Sequence, residues 1–509
     1  MGQGKSIIIN TAALYVKIVI AGVVTLLSTR IALKLLGVDD FGLYNLIAGI
    51  IAMLSFLNGA LLVSTQRFLS VAMGKGASIN ELTKIFNSSL FIHICLSLLL
   101  VVTLLILKPI MFSCILNINP DSIHIAKKVY DIMVISSFVT ILTVPYNAAI
   151  NAHEEMWMFA LIESLVALTK LAAAYALYIT PYNLLITYTV LMMLAVVIGG
   201  IFKYAWCRYR YQETRIFINK MYNRELISQQ IGFVGWNTLG SIAVLGRNQG
   251  IAVVLNMFFG TLLNAAYGVA NQLNVLVSTF AATITTVFSP IIMKYKGQGD
   301  KEQMLYVASL SSKISFLLSS IMALPILLEL DNILNIWLTE VPKYTLQITS
   351  GTIITFVIMQ MYPGLTRALY AEGHIKWYQI VISVTILLVL PLGYILFKLK
   401  YSPVSIIYCM IFAQILVLIE TVYFSYRLLG FEWKKYFIET LNSAVCFCSV
   451  FICGYFLKGI LNGINIYVSI AVVALFSVIV MILLYYVFLF SSKEKKIVVN
   501  SFINILNRK

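Results

Sequence analysis

Apolar runs long enough to cross a bilayer recur from one end of this chain to the other, separated by short polar segments. A helix rises 1.5 Å per residue, so about 20 apolar residues span the hydrocarbon. Runs of that kind lie at 7–36, 41–69, 86–107, 129–150, 157–179, 183–205 and 231–256. They continue at 262–293, 306–328, 346–370, 375–398, 404–426, 437–457 and 464–490. The pattern predicts an all-α integral membrane protein of about fourteen transmembrane helices. The first, second and eighth runs exceed one crossing, which tilt or protruding ends accommodate.

Composition supports the same class. Apolar residues make up 61% of the 509 positions, charged residues 11%, and mean hydropathy is +0.93. A soluble domain carries about 25% charged residues, and no soluble core of this length hides so much apolar surface. The net charge of +16 would point to nucleic acid on a soluble protein. Here the cations gather in short segments between spans, where they orient helices, and no nucleic-acid partner is expected. With the N-terminus in the cytoplasm, inner segments hold Lys75 and Lys84; Lys203, Arg208, Arg210, Arg215, Lys220 and Arg224; and Lys294, Lys296 and Lys301. Further inner segments hold Arg427, Lys434 and Lys435, then a tail with Lys493, Lys495, Lys496, Arg508 and Lys509. Outer segments hold Asp39, Asp40, Glu329, Asp331 and Glu340 with only Lys343; the segment with Lys108, Lys127 and Lys128 runs against the trend. Both termini are therefore expected inside. Trp157, Trp206, Trp337, Trp377 and Trp433 fall near run ends, as an interfacial belt places them. The N-terminus does not read as a cleavable signal, because its apolar run continues to Leu36 without a cleavage site.

The chain repeats itself. Gly37 pairs with Gly260 and Tyr44 with Tyr267 at an offset of 260 − 37 = 223 residues, which also pairs Ser55 with Ser278, Gly74 with Gly297 and Gly76 with Gly299. The identities fall on the same hairpin of each half. Two six-helix lobes follow, at 1–205 and 225–426, joined by a basic linker at 206–224 and followed by a two-helix appendage and basic tail at 427–509. An even repeat unit predicts parallel lobes related by an axis along the membrane normal.

Enzymatic constellations are missing. The histidines His93, His124, His153 and His374 lack ligand spacing, and Cys446, Cys448 and Cys453 have no acidic or histidine neighbours, so they read as small apolar residues. Gly2–Gln3–Gly4–Lys5–Ser6 lacks the first glycine and the preceding strand of a P-loop. Neither an enzyme nor a resident metal or cofactor is expected; proton or sodium coupling stays open.

Charge inside the spans is informative, because it is costly there unless a cavity or partner offsets it. Lys17 and Arg30 occupy the first span without an acid. On one straight helix they point about 140° apart unless the helix bends, for instance at Gly22. The alternative is that Arg30 reaches the outer headgroups. Glu163 and Lys170 share a face of the fifth span, either as an ion pair or as cavity groups. Arg247 sits mid-way along the seventh, and Glu420 in the twelfth has Arg427 as a candidate partner. A polar stripe of Tyr267, Asn271, Asn274, Ser278, Thr285 and Ser289 runs along one face of the eighth span. Asn237, Ser241 and Asn248 on the seventh and Ser55, Asn58 and Thr65 on the second add shorter stripes. Such stripes either join helices or line a wet cavity.

Several segments resemble the bacterial polysaccharide repeat-unit flippases of the multidrug/oligosaccharidyl-lipid/polysaccharide (MOP) exporter superfamily. They are Ser28–Thr29–Arg30, Leu36–Gly37–Val38–Asp39–Asp40–Phe41–Gly42–Leu43–Tyr44–Asn45, Thr65–Gln66–Arg67–Phe68, Val144–Pro145–Tyr146–Asn147–Ala148, Gly246–Arg247–Asn248–Gln249–Gly250 and Trp337–Leu338–Thr339–Glu340–Val341–Pro342–Lys343–Tyr344. The resemblance implies a MATE-like pair of six-helix lobes and alternating access across a central cavity in the bacterial plasma membrane. It implies cargo of undecaprenyl-pyrophosphate-linked oligosaccharide, moved from the cytoplasmic to the outer leaflet for O-antigen or capsule, and contact with polymerase or glycosyltransferase machinery. Lys17, Arg30, Lys170 and Arg247 are then the candidate cationic groups, Asn237, Asn248, Tyr267, Asn271, Asn274 and Ser278 the polar lining, and Glu163 and Glu420 the candidate coupling acids. A lipid-linked peptidoglycan-precursor flippase would use similar charge. A drug/cation antiporter would want acids in the cores of spans one to four, and a membrane polymerase a large outer loop; neither is present.

Overall fold

The described part of every predicted apolar run is mainly helical in the computed structural model, which describes residues 3–52, 56–112, 122–338, 341–461, 463–492 and 494–495. Ser55, Thr339, Glu340, Lys493, Lys496, Arg508 and Lys509 lie outside the described residues, among which no strand occurs. Among the described residues, twelve helices are long and apolar enough to cross a membrane alone, and a bent pair makes a thirteenth. The second predicted run is divided between the end of the first helix and the start of the next, on either side of 53–55. Large apolar side chains such as Leu99 (61%) and Ile106 (63%) are exposed mid-helix, as lipid contact requires. The chain is a multi-pass integral membrane protein.

Two compact units make up the chain. The first, Ile9–Thr238, takes most of α1 (Gln3–Ala52), then α2 (Phe56–Gly74), α3 (Ile79–Ile110), α4 (Ile123–Ala152), α5 (Met156–Ala176), α6 (Leu184–Arg210), the short α7 (Ile218–Met221) and the start of α8 (Arg224–Phe259). The second, Leu239–Lys509 with Met1–Ile8, holds the rest of α8, α9 (Thr261–Gln298), α10 (Lys301–Leu328), α11 (Leu330–Trp337), α12 (Thr345–Met359) and α13 (Pro363–Glu372). It continues through α14 (Lys376–Leu387), α15 (Val389–Lys398), α16 (Ser405–Leu429), α17 (Trp433–Ile460) and α18 (Ile466–Leu484). The division falls inside α8, not at the basic linker.

The 223-residue offset is written into the backbone. Gly37 has φ +79° and ψ 174°, and Gly260 has φ +74° and ψ −166°. That region is open essentially to glycine alone, and in each unit it turns one membrane helix into the next. Gly76 and Gly299, the same offset apart, share positive φ values of +71° and +77°. Helix neighbours match as well. In the first unit α4 packs on α2, α3 and α6, and α5 on α6. In the second, α12 and α13 together pack on α9, α10 and α16, while α14 and α15 pack on α16. So α4 corresponds to the α12–α13 pair, and α6 to α16.

Both members of that correspondence carry a proline. Pro145 lies within α4, and Pro363 opens α13 after a 46° bend. A proline lacks the amide for the helical ladder and pushes its predecessor out of the helical region, here Tyr362 at φ −132°. Next to it, Gly364 lies so close to α10 that a Cβ would come within 1.9 Å of the Ala308 carbonyl oxygen. The Gly364 amide donates to Ser312 Oγ at 3.0 Å.

Two sequence readings change at the ends of helices. Lys108, read as an out-of-place outer cation, bonds Asp131 at 2.7 Å, so its charge is compensated. Glu329, read as a loop acid, is fully buried. It accepts from Ser469 Oγ at 3.0 Å and Asn332 Nδ2 at 2.5 Å, with Lys458 Nζ 3.7 Å away. Together with Lys313, which reaches Glu494 at 3.3 Å and Glu439 at 3.6 Å, it fastens α17 and α18 to α10. The basic linker is pinned as well. Asn87 on α3 donates to the Arg215 carbonyl and accepts from the Phe217 amide, both at 2.9 Å. His153 pairs with Glu213 at 2.5 Å and stacks on Tyr211 at 3.9 Å. Burial and the Glu155 carboxylate that accepts its proton push the Tyr211 phenol up.

Candidate functional site

Each unit carries its own group of charges at membrane depth. In the first unit, Lys203 on α6 donates to Glu163 on α5 at 2.6 Å. Lys17 on α1 lies 4.9 Å from the Phe159 ring centroid and Lys203 lies 5.6 Å from it. Three cations, Lys17, Lys170 and Lys203, thus surround the single carboxylate of Glu163. The expected Glu163–Lys170 pair is not formed. Lys203, assigned from the sequence to the loop after α6, lies inside the helix and takes that place. Lys170 makes no ion pair or hydrogen bond among the described residues and faces a cavity of about 380 Å³ that Glu163 and Lys203 also line.

Two further expectations for α1 change. Its break falls at Gly37, while Gly22 is continuous helix. Lys17 and Arg30 therefore diverge on one uninterrupted stretch: Lys17 is turned to Phe159, and Arg30 is exposed.

In the second unit, Arg247 on α8 directs Nε and Nη2 at Asn248 Oδ1, at 3.2 and 3.0 Å. It forms no ion pair with a carboxylate among the described residues; the phenols of Tyr267 on α9 and Tyr362 beside Pro363 lie within its electrostatic reach. Tyr362 accepts from Gln414. Tyr378 lies 3.1 Å from Thr366 Oγ1 and 3.3 Å from Thr421 Oγ1, and Tyr370 accepts from Gln379 at 2.8 Å. Glu420 accepts from Thr385 at 2.6 Å, and its other oxygen is buried without a donor. The Glu420–Arg427 pair expected from the sequence is absent among the described residues; Thr385 on α14 engages one carboxylate oxygen instead.

Sequence reasoning missed one residue here. Arg367 on α13 lies 5.7 Å from the Tyr370 ring centroid and has no carboxylate partner among the described residues. The signal was available: Arg367 falls within the apolar run 346–370, which contains no acid. Bending at Pro363 places Thr366, Arg367 and Tyr370 on a short helix of their own.

The predicted stripe on α9 divides. Tyr267, Thr285 and Ser289 are buried, with Tyr267 packed among Leu263, Ile348 and Met410. Asn271, Asn274 and Ser278 stay half-exposed, and the Asn274 carbonyl oxygen has no donor. Asn237 on α8 is buried in the first unit, and Asn248 is engaged by Arg247.

Comparison with known proteins adds the fold's identity. No family model matches the chain. It is 23% identical over 309 residues to the "Uncharacterized membrane protein EpsK" of Bacillus subtilis (strain 168), an alignment covering 58% of each protein. The chain thus spans a little over half the length of that relative. Among solved structures it resembles a MATE protein in its bent conformation (TM-score 0.74, 12% identity, 86% of this chain and 97% of that one). It also resembles an outward-facing multidrug resistance MATE family transporter of the MOP superfamily (0.72, 12%, 86% and 97%). A third match is a MOP superfamily transporter from Pyrococcus furiosus, described as having a binding pocket of reverse polarity that suggests a different function (0.69, 12%, 84% and 97%). The fold is that of the MATE transporters, and no matched structure named here is an enzyme.

Proposed function

We propose that this chain is a flippase that moves undecaprenyl-pyrophosphate-linked oligosaccharide from the cytoplasmic to the outer leaflet of a bacterial plasma membrane, by alternating access and without catalysis. The observation that carries the reading is Arg247, an arginine at mid-span whose polar partner is an amide and not a carboxylate. Burying such a charge costs several kcal/mol unless water or an anion offsets it. A pyrophosphate offers two oxygens to the guanidinium fork, and the site's low dielectric strengthens that attraction. Arg367 extends the same logic, and the amides and phenols around the two arginines suit sugar hydroxyls. The lipid tail stays in the bilayer throughout.

The rival within the same fold is a drug/cation antiporter. It would require carboxylates to attract a cationic drug, and the first four helices of the first unit carry none near the charge cluster. Glu163 is occupied by Lys203, which leaves Glu420 as the carboxylate available for proton or sodium coupling. On this reading both termini lie in the cytoplasm, and the partners are the polymerase and glycosyltransferase machinery that makes and consumes such lipids.

The test is reconstitution in proteoliposomes loaded with fluorescent undecaprenyl-pyrophosphate oligosaccharide, scoring probe accessibility across the bilayer. The reading requires protein-dependent flipping of this lipid. Transport of a cationic dye with no movement of the lipid would favour the antiporter. Movement of a lipid-linked peptidoglycan precursor alone would favour that flippase class.

A further inference from the structure

Within the first unit, two adjoining cavities of about 380 and 400 Å³ share Asn58, Thr140 and Lys170. Each lies within the roughly 300–1,000 Å³ of small-molecule pockets. We propose that this chamber binds a monosaccharide carrying one carboxylate, of the hexuronate class. The inference rests on the glycan-lipid reading above and deepens it, by assigning the cargo an acidic sugar.

Hydrogen-bond supply in the chamber points to that ligand. Its one unengaged cation is Lys170, because Lys203 is bound to Glu163 at 2.6 Å. The remaining lining is rich in acceptors. Thr140 and Thr143 donate their protons to the backbone oxygens of Ser136 and Thr140, and Ser137 donates to Met133. Their oxygens keep lone pairs. The carbonyl oxygens of Asn58 and Asn147 are buried without donors. A ligand that fits must bring several O–H donors and one anionic acceptor. A hexuronate brings both. A neutral sugar leaves Lys170 unmatched, inorganic phosphate has too few donors, and an organic cation is repelled by Lys170.

Two features of the fold support a site at this place. Pro145, inside the continuous α4, lacks the amide that would bond the Ile141 carbonyl, and its neighbours Val144 and Asn147 line the chamber. Tyr44 lines the other end, its ring held edge-on by Tyr188 at 4.9 Å, and supplies an aromatic face for the apolar side of a sugar ring.

The experiment is calorimetry on the full chain in nanodiscs with four probes: D-glucuronate, its neutral methyl ester, D-glucose and inorganic phosphate. Glucuronate should bind at least about tenfold more tightly than each of the others, the value of one charge-assisted pairing. Lys170→Met should bring glucuronate down to the level of its ester, while Lys170→Arg, which keeps the charge, should retain most of the affinity. Equal affinity for glucuronate and glucose, phosphate binding as tight as glucuronate, or no binding of any probe overturns the proposal. So does a folded Lys170→Met protein that binds glucuronate like the parent. The two readings separate cleanly: flipping of the oligosaccharide lipid without glucuronate binding removes this inference alone, and glucuronate binding without flipping removes the flippase.

Discussion

The Lys203 ammonium lies 2.6 Å from a Glu163 carboxylate oxygen, so the buried ion pair of the first unit runs between α5 and α6 and not along α5. This one choice of partner leaves Lys170 in the field of Glu163 but without an ion pair or hydrogen bond among the described residues. It also ties together two helices that a membrane, with no hydrophobic drive between apolar surfaces, would otherwise hold by packing alone.

Removing Lys203 takes away the hydrogen-bonded partner of Glu163 and leaves it only the more distant charges of Lys17 and Lys170. Lys203→Met should therefore destabilise the protein by roughly 3 kcal/mol, while the double variant Glu163→Gln/Lys203→Met should recover much of the loss. Thermal unfolding in detergent, followed by tryptophan emission, would measure both. A double variant less stable than Lys203→Met would show that the pair is not the unit that matters.

Gly364 sets a steric limit in the second unit. A methyl group there meets the Ala308 carbonyl oxygen, a backbone atom that cannot rotate away. Gly364→Ala should lower folded yield sharply, and Gly240→Ala much less, because Gly240 faces the end of the flexible Gln379 side chain. Monodisperse protein recovered by size exclusion is the readout; equal yields for the two variants would contradict the packing.

Much of this arrangement was legible in the sequence, and the reasons it was legible are physical. Apolar period and length gave the spans, because lipid imposes both. The Gly37–Gly260 identity at one offset marked the repeat, because only glycine takes that backbone conformation without strain. Arg247 stood out because its apolar run, 231–256, contains no acid to pair with. Partner choice was not legible. Whether Glu163 meets Lys170 or Lys203, and Glu420 meets Arg427 or Thr385, depends on which helices touch, and residue spacing along one helix says nothing of that. Glu329 was misread for the same reason: a carboxylate between two spans looks solvated until another pair of helices is laid over it.

Glu329 yields a prediction of its own. It is fully buried, and its charge is balanced by Lys458 at 3.7 Å and by hydrogen bonds from Ser469 and Asn332. Lys458→Met should loosen α17 and α18 from α10. A site-specific protease cleavage site inserted at 462 should then be cut faster in the variant than in the parent, with the rest of the chain equally resistant. Unchanged cleavage would place the attachment elsewhere, for instance at Lys313.

Arg247 bears most directly on function. Its guanidinium is held by Asn248 through two contacts and by no carboxylate among the described residues, so its charge is available to a ligand. Arg247→Ala should abolish flipping of the pyrophosphate-linked oligosaccharide in proteoliposomes while leaving the protein folded, since no ion pair is broken. Arg247→Lys keeps the charge but loses the planar fork, and should retain an intermediate rate, roughly tenfold below the parent. Arg367 provides the internal comparison. It too lacks a carboxylate partner, and it sits on the short helix after the Pro363 bend, against Tyr370. If both arginines grip the head group, Arg367→Ala should reduce the rate as well, and a monophosphate-linked lipid should be moved poorly by the parent. If Arg247→Ala moves the oligosaccharide lipid at the parental rate, the anion-binding role assigned to this residue is wrong, whatever the cargo.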